Sequence, residues 1–271
     1  MTIDTLAFIG GGNMASAILG GLVRSGRKPA DMLVLDPHDG TRERVQQEFG
    51  VTALGAPDAS LSRAGLVLWA IKPQQFKQAA QACAPFVKGA LHLSVMAGIR
   101  SDDMARLLGT ERIVRSMPNT PALIGAGIAG LYARPAVSAG ERQEAQALLA
   151  PTGSTLWVER EADLDAVTAL SGSGPAYVFY FVEAMMAAAE QMGLSAEQGK
   201  TLAVATFAGA AELARRSPEP PSVLRERVTS KGGTTHAALT AMESAGMKDA
   251  FVAALRAAQH RAAELGDEFG R

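Results

Sequence analysis

The 271-residue sequence predicts an α/β fold in two parts: a doubly wound sheet of parallel strand-helix-strand units, followed by an all-helical second domain. Three observations predict it. Short apolar runs alternate with helix-period segments through the first half. A glycine-rich turn joins the first apolar run to the first helical segment. After about Glu161 the strand signals stop and Ala-rich helical segments take over. The expected division is residues 1–160 and residues 161–271. Length alone suits one large domain or two ordinary ones. With 48% hydrophobic and 20% charged residues, the composition is that of a folded globular chain.

Residues 6–9, 32–35, 66–71, 91–95 and 112–117 are apolar runs of four to six residues with turn or cap residues nearby, the pattern of buried strands. Between them, segments such as 13–24 and 41–49 carry apolar residues at helical spacing and stop near Gly26 and Gly50. Strand and helix in alternation place helices on both faces of one sheet. Two further strands, 128–132 and 155–158, flank a helix at about 138–149 and extend that sheet. The second domain is read as helices at about 163–170, 176–192, 196–216, 221–229, 234–244 and 248–266, and Ser217-Pro218-Glu219-Pro220-Pro221 is the clearest break. Its many small residues favour closely packed helices and hint at pairing with a second copy.

Lys and Arg number 26 against 27 Asp and Glu, a net charge of −1, so the chain lacks the basic stripe that phosphate backbones demand. No nucleic-acid partner is expected. Cys83 is the single cysteine, which excludes an intramolecular disulfide and a cysteine metal cluster and fits a reducing cytoplasm. Asp4 stands where a signal peptide carries basic residues, and no apolar run reaches membrane-spanning length. A cytoplasmic protein with no membrane association is expected.

Gly10-Gly11-Gly12-Asn13-Met14-Ala15 fits G-x-G-x-x-A directly after the first strand and at the mouth of the first helix. In this Rossmann-type pattern the first glycine permits a tight turn, the second lets a pyrophosphate reach the backbone, and the small Ala15 lets helix and sheet pack closely. Free N–H groups at the helix start then face the phosphates. An isolated match would be an ordinary glycine turn; the strand-turn-helix setting argues for a dinucleotide. Asp36 closes the next strand, 21 residues after Ala15, where an acid accepts hydrogen bonds from the adenosine ribose of NAD and repels the 2′-phosphate of NADP. His38, Arg42 and Arg44 offer the opposite charge, although solvated helix-surface arginines are the plainer reading, and the cofactor preference stays open. Ala70-Ile71-Lys72-Pro73 and Val95-Met96-Ala97 leave strands at the carboxyl edge where ligands of such sheets lie, and Met117-Pro118-Asn119-Thr120-Pro121 does so in a stiffened loop. A lone Lys72 at a strand end is by itself as well read as a solvated charge.

Two glycine-rich segments stand in the helical half: Ser171-Gly172-Ser173-Gly174-Pro175-Ala176-Tyr177 and Ser230-Lys231-Gly232-Gly233-Thr234-Thr235-His236. Each precedes a helix. The second offers unpaired N–H groups and two hydroxyls together, a carboxylate cradle with a positioned hydroxyl; two well-capped helix starts are the alternative. Taken with residues 9–14, 70–73, 118–121 and 228–239, these segments resemble the Δ1-pyrroline-5-carboxylate reductases nearly end to end, most specifically over 221–243 with Ser-x-Gly-Gly-Thr-Thr at its centre.

The resemblance implies NADPH-dependent reduction, with NADH possible, of the ring C=N of 1-pyrroline-5-carboxylate to L-proline, the last step of proline biosynthesis. It implies that Gly10, Gly11, Gly12, Asn13 and Met14 hold the pyrophosphate. Ala70, Ile71, Lys72 and Pro73 would line the ribose and nicotinamide side, and Val95, Met96 and Ala97 would lie near the reacting end. Thr235 would hydrogen-bond the ring nitrogen as the catalytic position. Ser230 with Gly232, Gly233 and Thr234 would cradle the carboxylate, and Glu161 and Glu226 match acidic positions near the substrate. A homodimer at least, gathered as a decamer of five dimers, is also implied. Two departures stand out: Lys231 replaces the family's usual proline, and Asp36 stands where a small hydroxyl residue often helps bind the 2′-phosphate.

The residues suit that chemistry. A cyclic imine is basic enough to arrive protonated, so the site need only orient it and deliver hydride by proximity. His236 follows Thr235 but points about 100° away on a helix, toward a structural or solvent-facing place. A hydroxyacid dehydrogenase of the 6-phosphogluconate type is the rival enzyme, and the absence of Lys and His from residues 176–192 counts against it. A non-catalytic NAD(P)-sensing module is the rival outside catalysis, and the Ser230 to Thr235 turn counts against that.

Overall fold

Strands that are apolar at every position need cover on both faces, and the centre of this sheet supplies it. The computed structural model describes residues 4–269. β1 (Leu6–Ile9) leads through a glycine turn to α1 (Asn13–Arg24), then β2 (Met32–Leu35), α2 (Asp39–Phe49), β3 (Thr52–Leu54), β4 (Leu66–Trp69), α3 (Phe76–Val87), β5 (Leu91–Ser94) and α4 (Ser101–Leu108). β6 (Ile113–Met117), β7 (Gly127–Ala133), α5 (Ala139–Leu149), β8 (Gly153–Trp157) and α6 (Asp163–Val167) complete this part. Every residue of β1, β2, β4 and β5 is buried, as expected of a parallel sheet covered on both sides. Phe8, Val34 and Leu68 pack with Ile18 and Leu19 of α1 and Phe49 of α2 on one face. Ile9, Leu33 and Trp69 pack with Phe76, Ala80 and Cys83 of α3 and Met104 of α4 on the other.

The described strands run in the order β3-β2-β1-β4-β5-β6-β7-β8. The order reverses between β1 and β4, which opens a crevice at their carboxyl ends. Two features differ from the expectation of uniform parallel units. β3 escapes sequence reading because its three residues are only half-buried or exposed and lie at the sheet edge. β7 runs antiparallel to β6, whereas β8 is parallel to β7. The link from β6 to β7 is Pro118 to Ala126, shorter than the dozen or so residues a parallel crossover takes.

The helical part contains α7 (Gly174–Gln191), α8 (Ala196–Arg216), α9 (Pro221–Arg227), α10 (Thr234–Ser244) and α11 (Met247–Phe269). The chain forms two compact units: one reaches up to Ser173 and takes in the stretch from Ala258 onward, and the other runs from Gly174 to Ala257. In the second unit α8 starts with a capping box between Ser195 and Gln198 and packs closely on α7. A Cβ on Gly199 would lie 2.9 Å from the Ala189 Cβ. Among the described residues of this unit only Ala189, Gly199 and Ala203 are buried, while Phe179, Tyr180, Met192, Leu202 and Leu213 are exposed. Ser171 to Tyr177 leads into a helix as expected, with Pro175 in the first turn of α7, but it does so without an open loop: Thr168–Gly172 forms a π-helical turn, closed by Ser173 N–H donating to the Thr168 carbonyl at 2.8 Å. Small residues permit this, since a Cβ on Gly172 would meet Met117 Cε at 2.7 Å.

Candidate active site

The turn from β1 to α1 is built by close approach. Gly10 has φ +98°, and a Cβ there would lie 2.6 Å from the Ala70 carbonyl oxygen. Its N–H donates to the Leu35 carbonyl at 2.8 Å. Gly11 is packed by Thr41, whose Cγ2 would be 2.7 Å from an added Cβ, whereas Gly12 faces open space. Gly12 is the N-cap of α1; no side chain caps the helix, and its first turn holds no acid. Asn13 is exposed, Met14 is half-buried, and Ala15 is buried in the core. An uncapped helix start with an open, side-chain-free surface at Gly12 fits a pyrophosphate.

Asp36 is only 7% exposed, and both its oxygens already accept from backbone. Oδ2 accepts from Gly11 N–H at 2.9 Å and Oδ1 from His38 N–H at 3.0 Å. Each oxygen keeps a further lone pair for a ribose hydroxyl. The neighbouring arginines are not the free surface charges that the plainer reading expects. Arg42 donates to the Asp36 carbonyl at 2.8 Å and pairs with Asp39. Arg44 donates to the Gly11 carbonyl at 2.6 Å and to Ser16 Oγ at 3.0 Å.

These groups border a cleft of about 510 Å³ lined by Gly10, Gly12, Asp36, His38, Ala70, Ile71 and Lys72 among others. Pro73 starts a short 3₁₀ turn beside it. Thr41, Gln75, Gln78 and Cys83 also line the cleft. They carry no motif; Cys83, which α3 presents to the sheet, is itself fully buried, and burial raises its thiol pKa to about 11. Val95 N–H donates to the Trp69 carbonyl at 3.0 Å, so Val95, Met96 and Ala97 leave β5 next along the same sheet edge. The structure thus brings the predicted nucleotide residues to one edge of one unit.

The Ser230 to Thr235 segment lies in the other unit. Gly233 N–H donates to the Ser230 carbonyl at 3.0 Å, and Gly232 has φ +75°, the positive value that a type II turn needs at its third residue. Lys231 occupies the second position, where proline is favoured without being required, so its replacement of proline is sterically neutral. Gly233 caps α10 without a side-chain bond, and no acid stands in that first turn. Thr234 is exposed and Thr235 half-buried, while Glu226 and His236 are exposed. The segment therefore presents N–H groups, two threonines and Ser230 in one tight stretch.

Glu161 belongs to the sheet unit, where its carboxylate is engaged. It accepts from Ser101 N–H at 2.6 Å, from the Ser101 hydroxyl, and from Arg115 Nη1 at 2.8 Å. It thereby secures the first turn of α4. α7 contains neither Lys nor His. Among the described residues no helix is long and apolar enough to cross a membrane.

Residues 161–265 match the family model described as pyrroline-5-carboxylate reductase dimerisation, and residues 5–98 match NADP oxidoreductase, coenzyme F420-dependent. The pyrroline-5-carboxylate reductase of Pseudomonas aeruginosa is 41% identical over the whole of both chains. A solved pyrroline-5-carboxylate reductase from Coxiella burnetii superposes with a TM-score of 0.91 at 35% identity, covering 98% of this chain and 99% of that one. The Plasmodium falciparum enzyme, solved with NADP bound, gives a TM-score of 0.86 at 26% identity over 98% and 99% of the two chains. Full-length identity of this order, together with the match over residues 161–265, makes this chain a member of the pyrroline-5-carboxylate reductase family.

Proposed function

We propose that this chain reduces 1-pyrroline-5-carboxylate to L-proline, taking NADPH and also NADH, with the residues placed as follows. The observation that carries the assignment of the cofactor end is the uncapped start of α1 at Gly12, open to solvent beside the cleft. The reduced nicotinamide supplies the hydride. Backbone N–H groups of Gly12, Asn13 and Met14 hold the pyrophosphate with help from the helix macrodipole. Asp36 orients the adenosine ribose while tying the glycine turn to β2. Ala70 to Pro73 flank the ribose and nicotinamide, and Val95 to Ala97 border the reacting end.

In this reading residues 161–271 form the substrate-binding and dimerisation domain. The Ser230 hydroxyl and the N–H groups of Gly232 and Thr234 receive the substrate carboxylate, while Gly233 N–H closes the turn that presents them. The Thr235 hydroxyl accepts the N–H of the protonated imine and sets the ring for hydride delivery. Because the substrate arrives protonated, no strong acid is needed at Thr235. Glu226 contributes negative potential near the cationic ring, and Glu161 acts through α4 and Arg115. The helical unit pairs with a second copy, five pairs assemble as a decamer, and the enzyme works in the cytoplasm. The direct test mixes purified protein with 1-pyrroline-5-carboxylate and NADPH or NADH, follows loss of nicotinamide absorbance and identifies proline. Cofactor oxidation without proline formation, or none at all, rejects the reading.

A further inference from the structure

The segment leaving β5 turns at residues 97–98 before entering α4. Met96 and Ile99 anchor it from beneath, both buried in the core, while Ala97 is exposed on its outer side. From the flank it is held by the last described turns of α11. Gly98 has φ +75°, and a Cβ on it would lie 2.7 Å from Phe269 Cδ2 and 3.3 Å from the Leu265 carbonyl oxygen. Two residues on, the Arg100 guanidinium lies across Gly266, where a Cβ would come within 2.8 Å of Nε. Arg100 Nη2 donates to Asp267 Oδ1 at 2.6 Å and to the Ala263 carbonyl at 3.4 Å. A glycine on each side of this contact, Gly98 against the Phe269 ring and Gly266 against the guanidinium, lets the two backbones approach. Phe269 also packs on the apolar cluster that contains Ile99 and Phe76.

We propose that Phe269, supported by the Arg100–Asp267 pair, is a positioning residue for hydride transfer: its ring walls in the turn at Gly98 and so sets where residues 95–97 stand at the reacting end of the nicotinamide. The inference rests on the placement of residues 95–97 given above. The ring carries more of this role than the ion pair, because Arg100 and Asp267 are 45% and 68% exposed and exposed pairs hold geometry weakly. A residue outside the reacting atoms acts here through distance alone, and hydride transfer is steep in distance.

The test uses the full-length protein. Phe269→Ala should lower the single-turnover rate of NADPH oxidation at saturating 1-pyrroline-5-carboxylate by roughly tenfold, as a sub-ångström displacement of reacting groups does. Affinity for 2′-phosphoadenosine diphosphate ribose, which lacks the nicotinamide, should stay within about twofold of wild type, because the contacts at Gly12 and Asp36 are untouched. Phe269→Leu, which keeps a wall, should restore most of the rate. A fall in fragment affinity parallel to the fall in rate would make the ring merely structural and overturn the proposal. Gly98→Ala, which pushes the same segment from within, separates the clamp by Phe269 from the placement of residues 95–97. If it slows transfer while Phe269→Ala runs at the wild-type rate, the clamp is refuted and the placement of residues 95–97 stands. If both run at the wild-type rate, that placement fails and the clamp with it.

Discussion

The two units solve the burial problem in opposite ways. In the sheet unit, every residue of β1, β2, β4 and β5 is enclosed by the chain's own helices. In the helical unit only Ala189, Gly199 and Ala203 are buried, among the described residues, and Tyr180, Met192 and Leu213 stand 68%, 77% and 68% exposed. Exposed apolar surface on that scale marks an association face. The family model over residues 161–265 is a dimerisation domain, so the cover missing from one chain is what a second chain provides. The sheet unit is thus covered within a single copy, whereas the helical unit leaves its apolar surface for a partner to cover.

The largest effects should come from breaking this contrast outright. Gly199→Leu drives a side chain into Ala189 and the Met186 backbone, 2.9 Å and 3.2 Å from its first carbon. It should abolish the dimer in light scattering at micromolar concentration together with turnover, while affinity for the adenosine half of the cofactor survives. Equal loss of that affinity would show that the sheet unit also depends on assembly. Gly12→Val is the mirror experiment. A Cβ at Gly12 meets no protein atom within 4 Å, so the fold and the dimer should persist while dinucleotide affinity falls at least a hundredfold, because the side chain fills the pyrophosphate's space. Unchanged affinity in a titration would remove the glycine turn from the cofactor site.

Next in size is Thr235. Replacing it with Ala should cut kcat/KM for 1-pyrroline-5-carboxylate by roughly ten- to a hundredfold, as expected for one hydrogen bond to a charged group. Thr235→Ser should keep much of the activity, and Thr235→Val, isosteric without the hydroxyl, should resemble Ala. An active Val variant with a crippled Ser variant would make Thr235 a packing residue at the start of α10.

The self-contained core of the sheet unit also has an acid weakness. His92 on β5 is fully enclosed, accepts a hydrogen bond from Trp69 Nε1 at 3.0 Å, and is driven by burial from its usual range down to a pKa of about 4. Folded His92 is neutral while the unfolded chain protonates near 6.5, so its stabilisation is complete above pH 6.5 and is lost as pH falls toward 4. The loss is on the order of 3 kcal/mol at the acid limit. Thermal unfolding of His92→Gln should show a flatter decline of Tm between pH 6.5 and 4 than wild type; an unchanged slope would place the acid weakness elsewhere. The smallest expected effect is at Asp36. Asp36→Ser removes a charge from the ribose site and should raise the NADPH to NADH ratio of kcat/KM several-fold. A constant ratio would leave Asp36 only its backbone role toward Gly11 and His38.

Legibility in the sequence followed the range of the interactions. The apolar runs of β1, β2, β4 and β5 and the helix-period segments of α1, α8 and α10 are local signals, and the structure places those elements where their patterns put them. β3 was illegible because three residues at an edge carry no periodicity, and the antiparallel turn into β7 was hidden because its strand pattern reads alike in either direction. The turns at Gly10 to Ala15 and Ser230 to Thr235 were readable as helix-leading glycine turns because their backbone demands are written in adjacent residues.

By itself, therefore, the sequence determined the alternation of strand and helix, the glycine turn after β1, the helical second half, and through its end-to-end likeness the reaction class. Only the tertiary structure decided what the charged groups do. Asp36 spends both oxygens on backbone N–H groups, one of them 25 residues away; Arg44 reaches the Gly11 carbonyl across 33 residues; and Glu161 secures Ser101 across 60. Such pairings depend on which strand ends meet at one edge of the sheet, and a long polar side chain can satisfy itself with any suitable group it reaches, so no local pattern specifies the partner. The same holds for Phe269 against Gly98, a contact that exists because a glycine and a ring, far apart in the chain, are brought together by packing.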